Sequence, residues 1–367
     1  MDRETIYKAT LDHFLGPLAP AMNDPRISEI MVMGPSTVYI ERGGQIETTA
    51  LAFPDEAWLE AAVRNVAEYV GRPLGPANPT LDARLPDGSR VHVILPPASR
   101  AGIILTIRRF LPATFDLPTL VKDGSICAEA AELLALAVAS HQNILISGGT
   151  GTGKTSLLNA LSMAIPAQER ILVIEDSSEL RLHQPHTVCL EAQTGNEDGI
   201  GTLTVRELFV NALRMRPDRI VVGEVRQSEA LDMVQAMISG HPGSLTTIHA
   251  NDPISALLRL ELLCRRAEVG LPSDVARAQV LLAINLVVQI ERLASGKRRI
   301  SQISEVTEPA EGKGYGLRPL FVSQVVEDRK LELTATSMEP KFQAEARARG
   351  HEHSIQPLLD ALRNARP

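Results

Sequence analysis

The clearest chemistry in the chain sits in eight residues, 148–155, which read GGTGTGKT. The spacing is G-x-x-x-x-G-K-[ST]. Gly148, Gly149, Gly151 and Gly153 let a backbone wrap an anion without Cβ clashes. Successive N–H groups, those of Thr150 and Thr152 among them, and the start of a following helix then point at phosphate oxygens. Lys154 supplies a point charge for the β- and γ-phosphates, and Thr155 a hydroxyl for Mg2+. The expected phosphate-binding set runs from Gly148 through Ser156. Its context is the one the motif needs: an apolar run at 143–146 precedes it, and a helical stretch, SLLNALSMA, follows.

Two acidic segments have the right character to serve such a site. In ILVIEDSSEL (171–180) an apolar run ends in Glu175 and Asp176, with Glu179 a turn later. Carboxylates at the carboxyl end of a parallel strand face the crevice where ligands bind. They can hold Mg2+ or orient a water, so Glu175 and Asp176 join Thr155 as candidate metal residues. In RIVVGEVR (219–226) a second apolar run ends in Gly223 and Glu224. Gly-Glu stands where many phosphate-loop enzymes keep a Mg2+-holding Asp, so Glu224 is read as the residue that takes a proton from, or positions, an attacking water.

SGHPGSLTTIHAN (239–251) places His241 and His249 on either side of an apolar run. A neutral imidazole at His249 can donate to a γ-phosphate and report its presence. Arginine suits a developing phosphate charge. Arg84, Arg90, Arg108 and Arg109 lie on or beside expected strands in the first third of the chain and are the candidates to close the open side of the phosphate. Arg214, Arg216 and Arg219 stand second. His183 and His186 with Cys189 lack a fourth ligand at metal spacing.

The elements that must position these residues are legible as patterns. Helical spacing at 4–22, short alternating runs at 30–32, 37–41 and 46–51, an amphipathic stretch at 55–70, two runs around Asp87-Gly88 and another at 102–108 predict a small α+β domain over 1–110. Two prolines and no periodicity mark a linker, placed at 111–125. From 126 to 307, four-residue apolar runs alternate with helical stretches, the βαβ rhythm of a mostly parallel sheet. A hairpin is expected over 287–306, and residues 308–367 are expected to be a small appended element. The glycine-rich stretch 191–201 reads as a loop.

Composition bounds the reading. The chain has 367 residues, enough for roughly two domains. Its 37 basic residues against 44 acidic leave a net charge of −7, with no basic block. That counts against tight, sequence-independent nucleic-acid binding and so against a helicase or translocase. Three scattered cysteines suit a reducing compartment. The start, MDRETIYK, has no apolar core of a signal peptide, and no run reaches the ~18 residues of a membrane span. The expectation is a cytoplasmic protein that meets a membrane only through a partner.

Taken together and in this order, the four blocks resemble the secretion traffic ATPases, the motors of type II secretion, type IV pilus and type IV secretion machines. The resemblance covers about residues 15–306. In that family 148–155 corresponds to the Walker A motif, 174–179 to the Asp box, 221–224 to an atypical Walker B motif and 240–251 to the His box. DPRISEIMVMGP (24–35), LDARLPDGSRV (81–91) and LTIRRF (105–110) match as well. The segments 212–237 and 246–252 look closest to the Tad/Flp pilus assembly branch, and LRPLF (317–321) and MEPKF (338–342) agree with it. The tetracysteine zinc element of the type II and pilus-extension branches is absent.

The resemblance implies a RecA-like P-loop ATPase domain behind the α+β domain, with ATP and Mg2+ as ligands. It implies Glu224 as catalytic base, Glu175 and Asp176 supporting metal or water, and His241 and His249 coupling the γ-phosphate to domain motion. Arg84, Arg90, Arg108 and Arg109 would approach the nucleotide. It further implies a homo-hexameric ring, working with an inner-membrane platform protein of a Tad/Flp pilus or secretion machine. A type IV secretion or conjugal transfer ATPase is the alternative.

Overall fold

The computed structural model describes residues 3–109, 116–193, 201–267, 270–309, 314–325 and 331–364. It divides into two compact units, Met1–Ala113 and Thr114–Pro367.

The first unit contains α1 (Arg3–Phe14), α2 (Ala19–Asn23), β1 (Ile27–Met33), β2 (Thr37–Arg42), β3 (Gln45–Thr48), α3 (Glu56–Val70), β4 (Thr80–Arg84), β5 (Arg90–Ile94) and β6 (Ile104–Arg108). The six strands form one antiparallel sheet in the order β3-β2-β1-β6-β5-β4. Alternation sorts its faces: Ile30, Val32, Val91, Val93, Leu105 and Ile107 are buried, and their strand neighbours point the other way. Leu59, Ala62, Val63 and Val66 of α3 complete that core. The helix starts where Asp55 accepts the Trp58 N–H at 2.7 Å and stops at Gly71, whose φ of 67° is left-handed.

The second unit opens with α4 (Leu117–Lys122) and α5 (Ala128–Ala139). Then come β7 (Ile144–Gly148), α6 (Lys154–Ser162), β8 (Ile171–Glu175), β9 (Thr187–Glu191), α7 (Val205–Ala212), β10 (Arg219–Val222), α8 (Glu229–Ile238) and β11 (Leu245–His249). It ends with α9 (Pro253–Ala267), α10 (Ser273–Ala283), β12 (Leu286–Arg292), β13 (Arg298–Thr307), β14 (Gly316–Val325), β15 (Leu331–Ala335), α11 (Gln343–Ala348) and α12 (Glu352–Asn364). Nine strands form one sheet in the order β15-β14-β13-β12-β7-β11-β10-β8-β9. The run from β12 to β9 is parallel, and β13, β14 and β15 add to it antiparallel.

Why the parallel strands read as unbroken apolar runs is visible in their packing. Ile144 and Ile146 enter one core, with Val173, Val221 and Val288, while Leu145 enters the other, with Leu172, Ile220 and Val287. A strand covered on both faces has no polar side to alternate with.

Two boundaries differ from the sequence reading. The linker expected at 111–125 contains α4, whose Leu117 is buried in the same core as Leu133 and Leu134. That stretch is part of the second unit; residues 110–115 lie outside the described residues. The element expected at 308–367 is not an appendage either. Its β14 and β15 extend the sheet, and Ile355, Leu358, Leu359 and Leu362 of α12 share the core of α5. Amphipathic helix spacing cannot say which core a helix joins. The loop expected at 191–201 lies largely outside the described residues. Among the described residues, no helix is long and apolar enough to cross a membrane.

Candidate nucleotide site

Parallel pairing lines up the carboxyl ends of four strands. His249 is in register with Gly148, Val222 with Thr246, and Val222 with Ile174. The residues just past those positions are the glycine loop, His249, Glu224 and Glu175. Strand order, not sequence proximity, makes one site of them.

The loop is built for close approach. A Cβ on Gly148 would lie 2.6 Å from both the Ile290 carbonyl and Thr152 Oγ1, so only glycine fits between β7 and β12. Gly151 (φ 70°) and Gly153 (φ 96°) take left-handed conformations. Gly153 caps α6, whose first residue is Lys154. Thr152 Oγ1 and Lys154 Nζ both donate to the Gly149 carbonyl, each at 2.9 Å. Thr155 and Ser156 follow in the first turn of α6, where unpaired N–H groups gather.

A chain of polar contacts runs outward from Lys154. Its Nζ lies 3.3 Å from His249 Nδ1. His249 Nε2 lies 2.9 Å from Glu224 Oε1. Glu224 Oε2 accepts from Arg226 Nη2 at 2.8 Å, and Arg226 Nη1 reaches Asp176 Oδ2 at 3.3 Å. Burial, and then the Lys154 ammonium, push the His249 pKa below its usual value. A neutral ring with its proton on Nε2 satisfies both contacts: it donates to Glu224 and accepts from Lys154.

Glu175 is placed differently from its expected role at a metal. It is buried, and its Oε1 accepts the N–H groups of Glu179 (2.9 Å) and Leu180 (3.1 Å). Burial raises its pKa to about 7 despite those bonds. Oε1 of Glu175 is thus committed to the backbone that follows β8. The side chain also explains the Gly-Glu pair: a Cβ on Gly223 would lie 3.0 Å from Glu175 Cγ. Thr247 Oγ1 donates to the Gly223 carbonyl at 2.8 Å and fixes the turn that presents Glu224.

The structure separates His241 from this group. It precedes β11, whereas His249 ends it, and the strand between them rises about 13 Å. Arg219, Arg214 and Arg216 also belong to the amino-terminal edge of the sheet, before or at the start of β10. Arg219 is fully buried, bonded to Glu169, to the Val138 carbonyl (2.8 Å) and to the Gly243 carbonyl (3.2 Å). It is a core residue, out of reach of any phosphate at the loop.

In the first unit, Arg84 faces Arg90, Arg90 faces Arg108, and Arg108 faces Glu29 across neighbouring strands. The three arginines thus stand in direct register as a row on the side of the sheet away from its core. Arg109 is not part of it. Its Nη1 donates to the Ala21 (2.9 Å) and Asp24 (3.2 Å) carbonyls and ties down the corner before β1.

Sequence reasoning left three contributors without a role: Arg226, which joins Glu224 to Asp176, and Arg292 and Arg298, which stand beside the glycine loop. The signal for the last two is the basic hairpin RLASGKRR (292–299). Its position against the loop depends on β12 pairing with β7.

The residues fit a nucleoside triphosphate: a glycine loop in which Gly148 admits no Cβ and Gly151 and Gly153 are left-handed, a lysine at its mouth and a helix start behind it. Among the described residues no cluster of three or more His, Cys, Asp or Glu could hold a metal.

Comparison with known proteins agrees. The sequence pattern of the family described as "Type II/IV secretion system protein" matches residues 13–347. A putative conjugal transfer protein of Mycobacterium tuberculosis is 38% identical over 304 residues, covering 81% of this chain and 86% of that protein. The type IV secretion system protein PtlH of Bordetella pertussis is 37% identical over 326 residues, covering 81% of this chain and 95% of that protein. Among solved structures, the pilus retraction motor PilT with bound ADP aligns with a TM-score of 0.53 at 17% identity, covering 96% of this chain and 88% of that one. At that identity the likeness speaks for the fold, a RecA-like P-loop domain that follows an α+β unit in the chain.

Proposed function

This chain belongs to the type II/IV secretion system protein family and is an ATPase of it; we propose that it is the motor of a type IV secretion or conjugal transfer machine, with Glu224 as the base of hydrolysis. The observation that carries the site assignment is the contact chain Lys154–His249–Glu224 at the carboxyl ends of three parallel strands.

The loop N–H groups and Lys154 hold the phosphates. Glu224 takes a proton from the water as its oxygen attacks the γ-phosphorus, and ADP leaves with the bridging oxygen. His249 positions Glu224, and as a neutral ring between Lys154 and Glu224 it senses whether the lysine is engaged by phosphate. Arg226 holds the second oxygen of Glu224 and links it to Asp176. Mg2+, when bound, would be held by Thr155 with support from Asp176 and would supply positive charge to the phosphates. Arg84, Arg90 and Arg108 are the candidates for further positive charge on the phosphate, and the working assembly in this reading is a homo-hexamer.

The relatives named conjugal transfer protein and PtlH support this machine. Assembly of a Tad/Flp-type pilus is the second reading, resting on the sequence of 212–237. In either, the chain works at the cytoplasmic face of an inner membrane through a platform protein. Pull-down of the membrane partner from the native host decides between them. A type IV secretion channel component supports the first reading, and a Tad platform protein overturns it in favour of the second.

A further inference from the structure

The β12–β13 hairpin lies against the glycine loop, and nothing in the hydrolysis scheme uses it. Arg292 and Arg298 are in register beside its turn. Arg298 Nε donates to the Gly151 carbonyl at 3.2 Å. Its Cδ stands 3.0 Å from where a Cβ on Gly153 would be. Arg292 Nη1 lies 3.5 Å from the corresponding point at Gly151. Two cations from one hairpin therefore stand beside the two left-handed glycines of the loop.

The peptide between Gly151 and Thr152 is the part at stake. A trans peptide sets its C=O and N–H on opposite sides. With the carbonyl turned toward Arg298, the Thr152 N–H is turned away from the hairpin. Reversing this peptide rotates ψ of Gly151 and φ of Thr152, and a residue without a Cβ leaves the 151 side of that rotation unhindered. A reversed peptide would offer a carbonyl oxygen to an incoming phosphate in place of an N–H. Something outside the loop has to select between the two, and a charge-assisted bond to the carbonyl does so.

We propose that Arg298, supported by Arg292, is a positioning residue for nucleotide binding: it locks the Gly151–Thr152 peptide in the orientation that presents an N–H to the phosphates. This rests on the phosphate-loop assignment made above. Because the lock acts on ground state and transition state alike, it governs affinity and leaves the cleavage step alone. It also makes ADP retention a property of the hairpin.

The test measures binding of a fluorescent ADP analogue and steady-state ATP hydrolysis for the full chain and three variants. Arg298→Ala should weaken ADP binding and raise KM for ATP by about tenfold, with kcat within about twofold. Arg298→Lys keeps a donor at the carbonyl and should recover most of the affinity, which also shows that the position tolerates exchange. Lys297→Ala removes a like charge from the same hairpin and should change nothing. Unchanged KM and ADP affinity in Arg298→Ala overturns the proposal. So does an equal loss in Lys297→Ala, which would reduce the effect to general charge, and so does a fall in kcat at constant KM. A wild-type chain that binds no ADP would instead defeat the nucleotide assignment itself.

Discussion

His249 Nε2 lies 2.9 Å from Glu224 Oε1, so the last residue of β11 holds the carboxylate that follows β10. Lys154 approaches the other ring nitrogen at 3.3 Å. One imidazole thus joins the phosphate-binding lysine to the residue assigned to the water.

Glu224→Gln keeps the shape and removes the base. ATP binding should persist while phosphate release slows at least ~100-fold. Equilibrium binding and phosphate release on the same sample check this; a wild-type rate would move the base elsewhere.

The neutral state of His249 depends on burial and on Lys154. Its imidazole should therefore titrate below pH 6.5, and Lys154→Ala should raise that midpoint. NMR of the labelled ring reads both. A midpoint above 6.5 in the wild type would mean that the ring is a cation paired with Glu224.

Glu175 carries a raised pKa of about 7 in the folded chain, against 4.5 for an ordinary glutamate. The folded state then binds more protons than the unfolded one between those values. Its contribution to stability should fall as pH rises from 4.5 to 7, by up to ~3 kcal/mol. Glu175→Gln cannot ionise, so thermal melting at pH 5 and pH 8 should show a smaller loss for the variant than for the wild type.

Buried Arg219 and half-buried Glu169 form a pair at the amino-terminal ends of β8 and β10. Burial pushes the Glu169 pKa up, but bonds from His141 and Arg219 outweigh it and leave it at about 2. Arg219→Ala leaves Glu169 with His141 as its remaining partner and empties a fully buried site, so it should destabilise the fold. The double variant with Glu169→Ala should cost less than the sum of the two single ones, measured by denaturant unfolding. Gly243→Ala should be poorly tolerated, because its Cβ would lie 1.9 Å from Arg219 Nη1.

What the sequence revealed follows from range. The glycine loop is contiguous with its strand and helix, so residue types alone identify it. Glu224 and His249 were legible because each ends an apolar run, and parallel strands end together. Arg298 was not, since its contact with Gly151 spans 147 residues and depends on strand order. Arg219 misled because an arginine at a strand start reads as exposed, and only the Glu169 carboxylate and two carbonyls make its burial possible. Arg109 looked equivalent to Arg108, yet neighbouring strand residues point to opposite faces, and only Arg108 joins the cationic row.

The most direct test is phosphate release from ATP by the wild-type chain and by Lys154→Ala, each confirmed folded by circular dichroism. Turnover in the wild type and its abolition in the variant is the predicted result. Equal rates in the two proteins would contradict the assignment of catalysis to this loop.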